Sequence, residues 1–167
     1  MKKVSRILIT CLLLLLAVFL ISKPVRQIYN RMRMEQAVSI YACYPAFGMN
    51  IEEYEINLEE QRLYEYQCYI NEYVPRDTTS KNRGWQSMEP LSDEQTAALR
   101  RAGAAILNWK RRYDNPYVMD GVQWRIIITF QDGSTCQTSG SNDWPLDYSV
   151  VQKEFQANGA NIILYDP

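Results

Sequence analysis

Apolar and polar positions alternate along several stretches of the chain, with the period of two that is typical of a strand with one buried face. The predicted strands cover residues 37–44, 54–58, 62–73, 124–130 and 134–140, and an apolar run at 162–165 is a candidate edge strand. Strands that follow one another through short connections favour antiparallel pairing. We therefore predict an antiparallel sheet of about five strands.

The sharpest turn signal lies between the last two long strands. Asp132-Gly133 is typical of a two-residue type I′ hairpin turn, which needs positive φ at both central residues. A two-residue loop places Thr129 opposite Cys136, on the side away from Trp124 and Ile126. The returning strand is polar, so we expect it at an edge or with an exposed face.

The hairpin over residues 52–72 is strongly acidic. If residues 59–61 form its loop, Ile56 faces Tyr64 across the pair. Its carboxylates belong to Glu52, Glu53, Glu55, Glu59, Glu60, Glu65 and Glu72. Paired carboxylates can serve in glycoside hydrolysis, but glutamates at a period of two are also typical of solvated charges on an edge strand. We favour the solvated interpretation and predict no catalytic residue here.

A helix is predicted after Leu91. Ser92 followed by Gln95 has the spacing of a capping box, and Asn115-Pro116 is the predicted end. The apolar stripe consists of Leu99, Ala102, Ile106, Trp109 and Tyr113. The other faces carry Arg100, Arg101, Lys110, Arg111 and Arg112. We expect these cations to be solvated, so Arg100→Ala and Arg111→Ala should change the stability of the domain little.

The segment after the last hairpin contains a corner and a second, shorter helix. Its residues Asn142, Asp143 and Trp144 have two interpretations: turn chemistry that leads into the helix, or a polar and aromatic spot that contacts a sugar or a peptide end. We favour turn chemistry, with Pro145 in the first helical turn. The helix is predicted over 146–158, with Leu146, Val150, Val151 and Phe155 on its buried face.

The N-terminus is built differently from the rest. A short basic tail, residues 1–6, precedes the uncharged run 7–22, which is about 24 Å long as a helix against a hydrocarbon core of roughly 30 Å. We predict an uncleaved transmembrane anchor; a cleaved signal peptide is the alternative. Residues 23–36 then form a basic juxtamembrane stalk or a helical continuation of the span, and a folded domain covers 37–167.

Basic residues flank the apolar run on both sides, so the positive-inside rule does not choose an orientation. Because a very short basic N-terminus usually stays inside, we place residues 1–6 in the cytoplasm and the C-terminal domain outside it. The chain is then a single-pass membrane protein whose C-terminal domain lies outside the cytoplasm.

Composition mainly excludes functions. The chain has no histidine, which removes Ser-His-Asp and Cys-His nucleophile systems and histidine metal sites. Its net charge of −1 does not indicate a nucleic-acid partner. We predict no cofactor and no metal.

The cysteines leave two alternatives open. Cys43, Cys68 and Cys136 lie in the folded part, an odd number without a CxxC pair. A Cys43–Cys68 disulfide is one possibility, and three small core side chains are the other.

The residues "WRIIITFQDG" (124–133) and "SGSNDWPLDY" (139–148) resemble a C-terminal signature of small membrane-anchored or lipoprotein domains of Gram-positive bacteria. The resemblance covers residues 91–157 and implies a fold and a compartment in the cell envelope rather than a reaction. This chain lacks a usable lipobox cysteine, so lipidation does not carry over.

The sequence thus predicts an α+β domain with its sheet packed against a long capped helix and a shorter C-terminal helix, preceded by a transmembrane helix. The expected function is non-catalytic: a tethered module that binds an envelope or secreted protein, with Asn142, Asp143 and Trp144 as candidate contacts. Two alternatives are a cell-wall glycan or peptide hydrolase that uses carboxylates and a membrane-anchored immunity or inhibitor protein.

Overall fold

The fold is α+β, as predicted, with a mixed seven-stranded sheet. The computed structural model of the protein describes residues 22–45, 50–69, 86–118 and 122–160. The helices are α1 (22–35), α2 (Asp93–Ile106) and α3 (Tyr148–Ala157). The strands are β1 (Ala37–Pro45), β2 (Asn50–Asn57), β3 (Arg62–Tyr69), β4 (Gln86–Pro90), β5 (Arg112–Asp114), β6 (Gln123–Phe130) and β7 (Thr135–Ser141).

The strand order is β4-β3-β2-β1-β6-β7-β5, and β5 pairs with β7 in parallel. The prediction of about five strands was wrong because the short strands β4 and β5 carry no alternating pattern of useful length. The candidate strand at 162–165 lies outside the described residues. β2 lies between β1 and β3, so it is not an edge strand, contrary to our expectation for its glutamates.

One face of the sheet, here called the inner face, holds the core. Ile40, Ile56 and Ile128 are at most 1% exposed there, and they belong to the same cluster as Leu99 of α2 and Phe155 of α3. Alternation along the strands produces this face, as expected for a half-buried sheet. The pattern of β6 was predicted correctly: Trp124, Ile126, Ile128 and Phe130 are buried.

Both predicted hairpin registers were wrong by one residue. The first loop spans residues 58–61, because the Asn57 side chain accepts hydrogen bonds from the Glu59 and Glu60 N–H groups and Gln61 has φ of 51°. Ile56 therefore pairs with Leu63 instead of Tyr64. A slip of one residue moves every side chain of the returning strand to the other face.

The Asp132-Gly133 hairpin differs in the same way. Gly133 has φ of 76°, whereas Asp132 is absent from the residues with positive φ, so the turn is not type I′. The Gly133 N–H donates to the Phe130 carbonyl and the Phe130 N–H donates to the Ser134 carbonyl, as in a three-residue loop with a glycine bulge. Cys136 consequently pairs with Ile128 on the inner face, and not with Thr129.

Helix α2 begins as predicted and ends early. Both hydrogen bonds of the Ser92–Gln95 capping box are present. The helix stops at Ile106 and not at Asn115-Pro116, because the following residues pair with β7: the Thr138 hydroxyl donates to the Lys110 carbonyl at 2.7 Å. Local pattern could not anticipate this tertiary competition.

Helix α3 buries a different face from the predicted one. Tyr148, Val151 and Phe155 are buried, whereas Leu146 is fully exposed and precedes the helix, and Val150 is 61% exposed. Pro145 lies before the first turn, and its carbonyl accepts from the Tyr148 N–H. Of the four positions predicted to be buried, Val151 and Phe155 are buried, and Leu146 and Val150 are exposed.

Cys43 is a free, buried thiol, so the Cys43–Cys68 disulfide alternative is wrong. The reason is topological: β2 separates β1 from β3, and in the register of the sheet Cys68 pairs with Ile51. Within the four described ranges, no helix has the length and apolar character to cross a membrane. The predicted span at 7–22 lies outside those ranges except for its last residue.

Residues 22–35, most of the expected stalk, are helical and their C-terminal half packs on the domain. Asn30 and Met34 are buried, and the Asn30 amide donates to the Ala104 carbonyl of α2 and to the side-chain oxygen of Asn108 in the turn after α2. Arg33 pairs with Asp132 at 3.0 Å and lies over the Phe130 ring. The packing of the domain therefore extends upstream of residue 37.

Arg100 makes α1 part of the domain, contrary to our expectation of a solvated cation. Its guanidinium donates to the carbonyls of Met34, Glu35 and Ala37, the last at 2.8 Å. The last carbonyls of a helix have no intrahelical donor, and a cation there also complements the helix dipole.

We expect Arg100→Ala to lower the free energy of unfolding by about 1.5–3 kcal/mol, because hydrogen bonds from a charged donor are lost and the carbonyls keep no partner. Arg111→Ala, an exposed cation of the same type, should change it by less than about 0.5 kcal/mol. Urea unfolding of both variants tests this. Equal losses would mean that the carbonyl contacts of Arg100 contribute nothing.

Candidate binding surface

The corner after β7 is fixed by backbone hydrogen bonds. Asn142 adopts φ of 53°, a conformation that asparagine tolerates better than most residues. Its N–H donates to the Val122 carbonyl, and its side-chain oxygen accepts from the Val122 N–H, both at 3.0 Å. Asn142 is thus held by Val122, which is distant in sequence, rather than by its own turn, and its side-chain oxygen is already used.

Trp124 and Gly140 form the packed centre of this corner. The Trp124 indole N–H donates to the Asp143 carbonyl at 2.9 Å. A Cβ at Gly140 would lie 2.3 Å from the indole nitrogen and 2.6 Å from that carbonyl, so only glycine lets the ring cross β7. Trp144 is half-buried, and its N–H donates to the Asp143 carboxylate.

Aromatic rings surround Trp124. Its ring centroid is 5.4 Å from that of Tyr148, 5.9 Å from Tyr113 and 6.2 Å from Trp109. Such spacings are typical of offset and edge-to-face pairs. Trp109 and Tyr113 were predicted on the helix stripe; they reach this cluster from the turn after α2 and from β5.

The opposite face of the sheet, here called the outer face, carries a polar row across six strands. Residues that pair across a ladder point to the same side. The pairings place Tyr66, Glu53, Cys43, Arg125, Ser139 and Arg112 in that order from β3 to β5. We call these six residues the outer row.

The middle of the outer row is buried. Glu53 is 2% exposed, and the Cys43 thiol lies 3.9 Å from its carboxylate oxygen. Burial raises the pKa of the Cys43 thiol to about 11. Burial, with Cys43 and Glu53 beside it, also raises the pKa of Tyr41 above its usual range. Cys43 therefore stays a protonated thiol near neutral pH and is a poor nucleophile.

Four residues of the outer row border an open groove of about 660 Å³: Cys43, Arg125, Ser139 and Arg112. Its lining residues are Tyr41, Cys43, Arg112, Asp114, Gln123, Trp124, Arg125, Ser139, Gly140 and Ser141. Arg125 is exposed, whereas Arg112 is paired with Asp114. The groove thus offers two guanidinium groups, one of them paired with Asp114, together with hydroxyl and amide groups, which suits a polar or anionic segment.

Carboxylates are few among the described residues that line the groove. Among its described lining residues the one carboxylate is Asp114, and Arg112 pairs with it, whereas a glycosidase needs two carboxylates roughly 5–10 Å apart. The described residues contain no group of three or more potential metal ligands. Of the hairpin acids, Glu53 reaches the groove only through Cys43, whose thiol lies 3.9 Å from its carboxylate oxygen.

Sequence reasoning selected the corner and missed the outer row. Asn142, Asp143 and Trp144 follow directly on the groove residues 139–141, and Asp143 is exposed. The outer row takes one residue from each of six strands, at different distances from the strand ends, and its alignment depends on registers that local sequence did not determine.

No family model, curated protein or solved structure matches this chain. The resemblance to membrane-anchored domains of Gram-positive bacteria therefore stays a prediction.

Proposed function

We propose that this chain is a membrane-tethered, non-catalytic module that binds an envelope or secreted protein through the outer-face groove. The groove is the observation that carries the proposal. It is open and polar, it presents the exposed Arg125, and its thiol is held protonated by burial. These properties favour the recognition of a polar or anionic segment over a chemical reaction.

The contact surface that we propose includes the corner. Ser141 lines the groove, and the next three residues in the chain are Asn142, Asp143 and Trp144. A bound segment that extends past the end of β7 would contact these corner residues. The side-chain oxygen of Asn142 is used by Val122, which makes Asp143 and the half-exposed Trp144 ring the better contacts of the three.

The tether is supported by the way the chain enters the domain. The uncharged run 7–22 leads directly into α1, and Asn30, Met34 and Arg33 fasten α1 to the folded part. An anchor joined this way keeps the domain at the membrane. The resemblance of residues 91–157 to membrane-anchored domains favours the same compartment.

Two measurements on the full chain in its native membranes test the proposal. A reporter fused after residue 167 is expected to be active outside the cytoplasm, and affinity capture from solubilised membranes is expected to enrich an envelope or secreted protein. A reporter active only in the cytoplasm would contradict the tether orientation. Capture that enriches no such protein would contradict the binding role.

A further inference from the structure

The solvent side of α1 carries a row of large apolar side chains. Val25, Ile28, Tyr29 and Met32 are 58%, 59%, 64% and 67% exposed. Their spacing of three and four residues places them on one helical stripe. We call these four residues the α1 stripe.

The α1 stripe lies opposite the docked side of the helix. Asn30 and Met34 are buried against α2, and Gln27 and Arg31 border a cavity with Arg101 and Ala104 of that helix. At 100° per residue, the stripe centre and Gln27 are separated by roughly 150° around the helix. A helix that exposes a stripe of large apolar side chains to solvent is expected to have an apolar partner that covers this stripe.

The chain outside the described residues indicates what covers it. The uncharged run 7–22 reaches the first described residue of α1, and it is about 6 Å shorter than a hydrocarbon core of roughly 30 Å. At about 1.5 Å per residue, continuing the apolar run as a helix as far as Val25 makes up most of this difference. Ile28 and Tyr29 then lie at the depth of the lipid headgroups. Tyrosine is enriched at that depth.

The charges on α1 agree with a membrane surface. Lys23, Arg26 and Arg31 are exposed, and Glu35 is the one acid between residues 22 and 36. At 100° per residue, these cations lie roughly 110–170° from the centre of the α1 stripe. A helix with cations on one face and large apolar side chains on another is typical of helices that contact anionic lipid.

We propose that the α1 stripe is a lipid-contact surface, at which Val25, Ile28 and Tyr29 extend the apolar span into the acyl–headgroup boundary while the other side of α1 holds the domain. This inference rests on the tether of the proposed function. It adds to that tether a fixed rotation of the domain about the helix axis: the α2 side of α1 faces away from the lipid contacted by the stripe.

Site-specific photocrosslinking in native membranes tests it on the full chain. A benzophenone amino acid replaces Ile28 in one variant and Gln27 in the matched control, which has nearly the same depth but lies on the other side of α1. We expect lipid adducts at position 28 and none above background at position 27. A third variant, with the same amino acid in place of Met32, should give fewer lipid adducts than the Ile28 variant because Met32 lies farther along the helix. Positions 27 and 28 are both exposed, so we expect the larger side chain to leave the melting temperature unchanged.

Each other outcome overturns the inference. Adducts at position 28 to a second copy of the chain would make the α1 stripe a dimer contact, and adducts to another protein would make it a partner site. Equal lipid adducts at positions 27 and 28 would remove the fixed rotation. A chain that is found in the membrane fraction but gives no lipid adduct at 28 refutes this inference alone, whereas a chain absent from that fraction refutes the tether itself.

Discussion

Replacing Trp124 with alanine is expected to lower the free energy of unfolding by about 3–5 kcal/mol, one of the two largest effects that we predict. Trp124 is 2% exposed, and its ring contacts the aromatic cluster of Trp109, Tyr113 and Tyr148. Truncation of a buried tryptophan leaves a cavity that the surroundings fill only in part. It also removes the donor to the Asp143 carbonyl. Denaturant unfolding of the chain without the apolar run measures the loss.

Trp144→Ala is the matched control. Trp144 is half-buried, and its ring centroid is 6.4 Å from that of Tyr148. We therefore expect a clearly smaller loss than for Trp124→Ala. Equal losses for the two tryptophans would contradict the assignment of Trp124 as the central ring of the corner.

Leu99→Ala is expected to cost about 2–5 kcal/mol, the range for a fully buried leucine. Leu99 is 0% exposed, and it joins α2 to the inner face of the sheet. The same unfolding measurement applies. A loss below about 1 kcal/mol would mean that α2 does not pack on the sheet as described.

Leu146→Ala removes the same atoms from a surface position, since Leu146 is fully exposed. We expect a change within about 0.5 kcal/mol of zero. The pair also tests our corrected helix face, because the sequence pattern placed both leucines in the core. A large loss for Leu146→Ala would support the original pattern over the structure.

Elements decided by local chemistry were predictable. The capping box at Ser92 depends on two residues three positions apart, and the alternating burial along β6 depends on whether each side chain is hydrophobic or polar. Both signals act within one element, so one stretch of sequence contains them completely. The α+β class follows from these elements.

Features decided by distant partners were not predictable. The end of α2 depends on hydrogen bonds to β7, and the role of Arg100 depends on where α1 ends. The two registers depended on one residue of loop length each, fixed by Asn57 and Gly133. The amino-acid composition does not indicate where α2 ends, what Arg100 contacts or which register each hairpin adopts.

The candidate site shows the same division. The Asn142 corner was visible because its turn residues are adjacent in sequence. The outer row combines residues from β3, β2, β1, β6, β7 and β5, and a shift of one residue in any ladder breaks it. Glu53 in particular looked like a solvated charge until the sheet order placed its strand between two others.

Capture of the partner by an Arg125→Gln variant is the measurement that tests the central claim most directly. Arg125 is exposed in the groove, and the loss of a hydrogen bond from a charged donor costs about 1.5–3 kcal/mol, or roughly a ten-fold or larger fall in affinity. Lys153→Gln removes the same charge from the exposed side of α3 and is the control. If the groove is the binding surface, Arg125→Gln keeps the parent melting temperature and loses the partner, while Lys153→Gln retains it. If Arg125→Gln retains the partner as fully as the control does, the groove is not the site at which this protein binds.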